Sequence, residues 1–148
     1  YKKLLDLGRK TGVMPQLEFW GAYPAFFHLG QALAVAAAAD DPDAKILADV
    51  YHLFRGGSGF EGLKLVDGQA ISIFHLNDFP GDIPRTNQQD KDRVFPGDGA
   101  APMQALADTL RNKGGQVVLS LELFNPNYYA MDPNFVAKTG LEKMKQFF

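Results

Sequence analysis

The sequence predicts an α/β unit of parallel strands joined by helical crossovers. Three observations carry this reading. Helix-forming and strand-forming stretches alternate along the chain in units of about 30 to 45 residues, as strand–helix repeats do. Glycine and proline punctuate the joins, at Gly12, Gly21, Asp41-Pro42, Gly56-Gly57, Gly68 and Gly114-Gly115. An acidic or imidazole side chain stands at or near the carboxyl end of each strand segment, where folds of this kind collect their chemistry whether the sheet is open or closed on itself.

The elements follow in order. Tyr1 to Lys10 sets Leu4, Leu5 and Leu7 among charged residues and ends at Thr11-Gly12, which suits an amphipathic helix. Val13 to Trp20 reads as a short strand. Phe26 to Ala39 is an alanine-rich helix stopped by Asp40-Asp41-Pro42, since proline cannot continue it. Ile46 to Phe54 reads as the second strand, closed by Arg55-Gly56-Gly57-Ser58. A short helical piece over residues 60 to 67 precedes Ala70 to Leu76, an unbroken run of strand formers that reads as buried. From Asn77 to Gly99 the chain turns polar and carries Pro80, Pro84 and Pro96. A loop of that length in a compact unit is usually functional or disordered. Ala100 to Lys113 spaces Met103, Leu106 and Leu110 at helical intervals before Gly114-Gly115. Val117 to Phe124 reads as the strongest strand, and Asp132-Pro133 opens a last helix through Lys145, aspartate as cap and proline in the first turn.

Composition narrows the function classes. With 46% hydrophobic, 22% charged and 12% aromatic residues in 148, the chain is neither disordered nor fibrous, and residues 1–148 read as a single unit. Fifteen basic residues against 17 acidic ones leave a net charge of −2. No basic field is available for nucleic acid or an anionic membrane, so neither is expected as a partner. The absence of cysteine removes disulfides, thiolate metal sites and cysteine nucleophiles, and fits a reducing compartment, with the cytoplasm as the expected location. The longest nearly apolar stretch, Ala32 to Ala39, falls far short of the roughly 20 residues a spanning helix needs. No GxSxG, HExxH or GxGxxG motif occurs.

The strand ends carry Glu18 in LEFWG, Asp49 and His52 in ADVYHLF, His75 in FHLND and Glu122 in LELFN. Oxygen and nitrogen donors without sulfur suit a divalent cation such as Mn²⁺, Mg²⁺, Co²⁺ or Zn²⁺. Carboxylates inside apolar strands would each be costly if unpaired, and a cation would offset that. One acidic residue at a strand end is more often a cap or an ion-pair partner; the coincidence of four is the argument. His28 reads as a packing or surface histidine, and the Phe26-Phe27 and Tyr128-Tyr129 pairs as core or rim aromatics. Arg55-Gly56-Gly57-Ser58 reads either as an anion cradle or as a plain turn.

Taken in order, LEFWG, Asp49-x-x-His52, FHLND, DRVFPGDG and LELFN resemble the second half of the xylose isomerase-like (β/α)8 TIM barrels, the sugar phosphate isomerase and epimerase group. The resemblance covers almost the whole chain and implies strands five to eight with their helices. It implies Glu18, Asp49, His75 and Glu122 as ligands of one divalent metal, Glu18 and Glu122 as the catalytic pair, and His52 and Arg93 as substrate contacts. The implied reaction is isomerisation or epimerisation of a sugar or sugar phosphate: a proton leaves the carbon beside a carbonyl, an enediolate forms, and the proton returns. Dehydration or lysis of an inosose or keto-sugar by the same parts, and a non-catalytic barrel fragment, are the alternatives. One departure stands out. The ketose 3-epimerases carry a further glutamate six residues after the first metal glutamate, and Pro24 occupies that position here.

Four strands are half of such a barrel. They would leave two unpaired edges and an apolar inner face. The expectation is association with a first half, upstream in a longer protein or on another chain, or with a second copy. The helical pattern already running at Tyr1 favours a longer protein.

Overall fold

The computed structural model covers residues 1–148 and contains the expected alternation. The helices are α1 (Lys2–Thr11), α2 (Leu29–Ala39), α3 (Val50–Arg55), α4 (Met103–Asn112), α5 (Pro126–Tyr129) and α6 (Pro133–Lys145). The strands are β1 (Leu17–Glu18), β2 (Ile46–Asp49), β3 (Ile71–His75) and β4 (Val118–Ser120). All three strand pairings are parallel, in the order β1-β2-β3-β4, with Leu17 opposite Ile46, Asp49 opposite His75, and His75 opposite Ser120. Each strand therefore lies beside the next in sequence, and every carboxyl end points the same way.

Alternation along the strands separates core from site. Ile46, Ala48, Phe74 and Leu76 pack with Leu53, Leu63, Leu106 and Leu110 in a cluster of 17 buried residues beneath the helices. Asp49 and His75, each one step on from Ala48 and Phe74, take the opposite face. Tyr1 secures α1: its hydroxyl accepts the Lys45 N–H at 3.0 Å and lies 3.0 Å from the Pro15 carbonyl oxygen.

Several boundaries differ from the expectation, each for a local reason. The second strand ends at Asp49 rather than Phe54, because the Asp49 carboxylate accepts the His52 backbone N–H at 2.8 Å and caps α3. The first and last strands shrink to Leu17–Glu18 and Val118–Ser120; each has a neighbour on one side only. The second helix starts at Leu29 rather than Phe26, since His28 is its cap: Nδ1 accepts from Gly30, and Gln31 Oε1 accepts from the His28 N–H. His28 is thus a partly exposed structural residue whose specific role is to cap α2. Residues 61–65 and 68–70 form 3₁₀ turns, and α5, capped by Asn125 with Pro126 in its first turn, was not anticipated. In Arg55-Gly56-Gly57-Ser58 the N–H groups of residues 56 to 58 all bond to α3 carbonyls, so the segment is a turn and not an anion cradle.

The long loop is ordered by its own side chains. Asp78 pairs with Val94 through an antiparallel bridge. Its buried carboxylate accepts four backbone N–H groups: Phe79 and Ala101 on Oδ1 at 2.8 and 2.9 Å, Gly97 and Gly99 on Oδ2 at 2.9 and 3.1 Å. A Cβ on Gly99 would fall 2.3 Å from the Phe79 oxygen and 2.4 Å from Asp78 Oδ1, so only glycine fits there. The DRVFPGDG segment is thereby drawn against the end of β3.

Both outer strands have a free edge. Val118 on β4 is 63% exposed, and Val13, Met14, Trp20, Phe135 and Leu141 are also exposed. No helix is long and apolar enough to cross a membrane.

Candidate metal centre

The four strand ends bring their polar side chains to one point. His75 Nδ1 lies 3.2 Å from Glu122 Oε2, 3.5 Å from Glu18 Oε1 and 3.6 Å from Asp49 Oδ2. Although three carboxylates surround it, this buried nitrogen makes no hydrogen bond. None of the oxygens lies where its N–H would point. Two ligand atoms about 2.1 Å from a tetrahedral cation are about 3.4 Å apart. The separations around His75 match that edge length, and the donor set is the nitrogen and oxygen mixture a borderline divalent ion takes. The residues present therefore fit such a cation.

His52 offers a second arrangement of the same carboxylates, since one ligand-type atom from each of Glu18, Asp49, His52 and Glu122 falls within 4.8 Å of the others, a set that does not include His75. Its nitrogens are engaged differently. Gly21 N–H reaches Nδ1 at 3.2 Å, and Arg93 Nη2 lies 3.2 Å from Nε2. A neutral ring has one acceptor nitrogen, so either Gly21 or Arg93 holds it and the other contact is unbonded. Burial lowers the His52 pKa and keeps the ring neutral. Gly21 supplies this contact because its backbone passes against α3, where a Cβ would fall 2.7 Å from the Gly56 nitrogen.

Arg93 comes from the ordered loop into the floor of the site. Its side chain is fully buried, with Nη1 donating to Glu122 Oε2 at 2.7 Å and Asp49 Oδ2 at 3.2 Å, and Nη2 to Asp90. Tyr51 and Phe124 cover the guanidinium, with centroids 4.6 and 5.1 Å from Cζ. One positive charge is thus shared among three carboxylates.

These neighbours set the protonation states. For Asp49, burial favours the neutral acid, but His75 and Arg93 prevail and its pKa is lowered. The nearby His75 ring, 3.2 Å away, is the main cause of the lowered pKa of Glu122, and Arg93 adds to it. Burial opposes charge on His75, yet attraction to Asp49, Glu122 and Glu18 outweighs it and pushes the pKa up to about 11. Without a metal, a proton on His75 compensates the carboxylates.

Above this floor opens a cleft of about 390 Å³ lined by Glu18, Trp20, His52, Asp90, Arg93, Glu122 and Phe124. All six residues singled out from the sequence, Glu18, Asp49, His52, His75, Arg93 and Glu122, thus meet in one place. Asn77, Asp90, Trp20 and Phe124 were not singled out. Asn77 and Asp90 carried a signal: they lie within FHLND and six residues before Pro96-Gly97, respectively. Trp20 and Phe124 carried one too, each lying two residues after Glu18 or Glu122 within LEFWG and LELFN.

Parallel strands that gather carboxylates and an imidazole at their carboxyl ends define an α/β protein with a candidate metal centre where parallel barrels carry their sites. The profile of the xylose isomerase-like TIM barrel family matches residues 1–147, and the chain belongs to that family. It is 33% identical over 141 residues to an inosose isomerase of Bacillus licheniformis, and 34% over 139 residues to one of Bacillus subtilis. Those alignments cover 95% and 93% of this chain and 50% of each relative, so the chain spans about half the length of the curated relatives it matches. The crystal structure of the IolI protein with a bound zinc atom superposes with a TM-score of 0.89 at 31% identity, over 99% of this chain and 54% of that one. An L-ribulose 3-epimerase structure shares the fold, with a TM-score of 0.62 at 20% identity, over 93% of this chain and 42% of that one.

Proposed function

We propose that these 148 residues supply strands five to eight of an eight-stranded barrel and carry the metal centre of a divalent-metal-dependent isomerase acting on a keto-sugar or inosose. The observation that carries this reading is the unbonded His75 Nδ1 among three carboxylate oxygens at 3.2 to 3.6 Å. Glu18, Asp49, His75 and Glu122 would hold the cation. Of the two imidazoles, His75 is the better ligand because its nitrogen has no competing partner, whereas His52 is engaged by Gly21 and Arg93.

When bound, a divalent cation polarises a carbonyl and acidifies the neighbouring C–H. The chain's own residues do the rest. Glu18 at the end of β1 and Glu122 just beyond β4 both line the cleft, each with its second carboxylate oxygen free of protein hydrogen bonds. One takes a proton from the carbon beside the carbonyl and the other returns one. His52, kept neutral, contacts a substrate oxygen, and Arg93 holds Glu122 and Asp49 in place while its edge lines the cleft. Trp20 and Phe124 supply the apolar walls that sugar C–H groups pack on.

Two findings favour an inosose isomerase over a ketose 3-epimerase. The relatives at 31 to 34% identity are inosose isomerases, and Pro24 replaces the epimerases' further glutamate. The unpaired edges of β1 and β4 with their exposed apolar residues support pairing with a first half-barrel or a second copy. The lack of cysteine supports a reducing, cytoplasmic setting.

The test is deuterium exchange. The whole protein carrying this chain, loaded in turn with Mn²⁺, Zn²⁺, Co²⁺ or Mg²⁺, is incubated in D₂O with a panel of inososes and ketoses. Deuterium is expected at the carbon next to the carbonyl of an inosose, with isomerised product. Absence of exchange with every metal and substrate would overturn the proposal.

A further inference from the structure

We propose that Asn77 is a positioning residue, the amide that fixes the Asp49 and Glu122 arms of the metal centre relative to each other. The inference rests on the metal reading above and goes beyond it, because Asn77 is not one of the ligands or substrate contacts.

Asn77 is completely buried, two residues past His75, where β3 ends. Its amide reaches both neighbours. Nδ2 donates to Asp49 Oδ2 at 2.8 Å and to the Glu122 backbone carbonyl at 3.4 Å, and Oδ1 accepts the Tyr51 N–H at 2.9 Å. One side chain therefore ties the end of β2, the start of α3 and the chain just beyond β4 to the end of β3. The other Asp49 oxygen, Oδ1, is already committed to the His52 N–H as the α3 cap. With both oxygens anchored, the plane of this carboxylate is set before any cation arrives, and its Oδ2 edge faces His75 Nδ1.

The chemistry of the position selects an amide. Tyr51 requires an acceptor and Asp49 a donor, at the reach of a short side chain, and asparagine offers one of each. Alanine leaves the buried Tyr51 N–H and one Asp49 lone pair without partners. Aspartate keeps the acceptor for Tyr51 but sets a second carboxylate against Asp49. Leucine fills the space and satisfies neither. Partners of this kind, one bond removed from a metal, change affinity by about 10- to 100-fold when lost.

The experiment measures Mn²⁺ and Co²⁺ dissociation constants by chelator competition, and the Co²⁺ d–d absorption spectrum, for the wild-type protein, Asn77→Ala, Asn77→Asp and the core control Leu110→Ala. Both Asn77 variants are expected to bind about 10- to 100-fold more weakly and to show an altered Co²⁺ spectrum. Leu110→Ala, destabilised away from the site, is expected to keep the wild-type constant and spectrum. If Asn77→Ala does not fold, Asn77→Asp, which has the same shape, decides. Binding within twofold of wild type with an unchanged spectrum would overturn the role of Asn77 while leaving the metal centre standing. A wild-type protein that takes up neither metal would instead overturn the metal centre, and this inference with it.

Discussion

Metal uptake at this centre should release one proton over a pH range in which ordinary histidines no longer carry one. His75 sits among Glu18, Asp49 and Glu122, and its pKa is pushed up to about 11 from the usual 6.5. A cation that takes the same nitrogen must displace that proton. The apparent association constant should therefore rise about tenfold per pH unit from pH 7 to 9, about 100-fold in all, or about 2.7 kcal/mol. A histidine of ordinary pKa would give less than about a twofold change over that interval. Asp49 and Glu122, with lowered pKa values, are already ionised there and contribute nothing to the slope. The measurement is Mn²⁺ affinity by chelator competition, with calorimetry in two buffers of different ionisation enthalpy to count the protons released. A flat profile between pH 7 and 9 would refute the reasoning. The same shift bears on stability without metal. Because the folded-state pKa is raised, the contribution of the His75 ion pairs is fully present below about pH 6.5 and disappears as the pH climbs through about 11.

Two further outcomes are expected. Glu122→Gln keeps the shape of a side chain that takes the Arg93 bond at 2.7 Å but removes its charge. It should weaken metal binding more than about tenfold and abolish exchange of the substrate proton with little change in melting temperature. Full activity in this variant would remove Glu122 from the mechanism. Gly99→Ala forces a methyl group to 2.3 Å from the Phe79 oxygen and 2.4 Å from Asp78 Oδ1, and the Asp78 carboxylate cannot retreat without losing its four N–H partners. It should destabilise the protein by about 1 to 3 kcal/mol in thermal or urea unfolding. An unchanged midpoint would show that the loop is not pinned as described.

Arg93 illustrates how a residue's role depends on depth. The family resemblance implied a cation reaching from the long loop to a substrate hydroxyl or carbonyl. The guanidinium instead lies beneath two aromatic rings and spends its Nη groups on Asp49, Glu122 and Asp90. Burial strengthens each of those attractions, which keeps Asp49 ionised in an interior that would otherwise neutralise it. The arginine organises the carboxylates before it serves a substrate.

Local chemistry alone was enough to establish the alternation of elements, the helix start at Asp132-Pro133, and five of the six polar residues that meet at the site; Arg93 came only from the family resemblance. Strand and helix periods, proline stops and donor types are properties of neighbouring residues, and a linear reading detects them. The D-x-x-H spacing was legible too, but not its structural meaning: the same carboxylate that faces the candidate metal centre also caps α3 and ends β2 at its fourth residue. Folding had to bring the strands together before other features acquired meaning. His75 has its raised pKa only because Glu18, Asp49 and Glu122 arrive from three other strand ends. Asp78 gathers amides from 19 to 23 residues further along the chain, and Asn77 bridges groups 26 to 45 residues away. Those distances collapse to hydrogen-bond length through parallel crossovers. Electrostatic coupling depends on separation in space, which one-dimensional order does not contain.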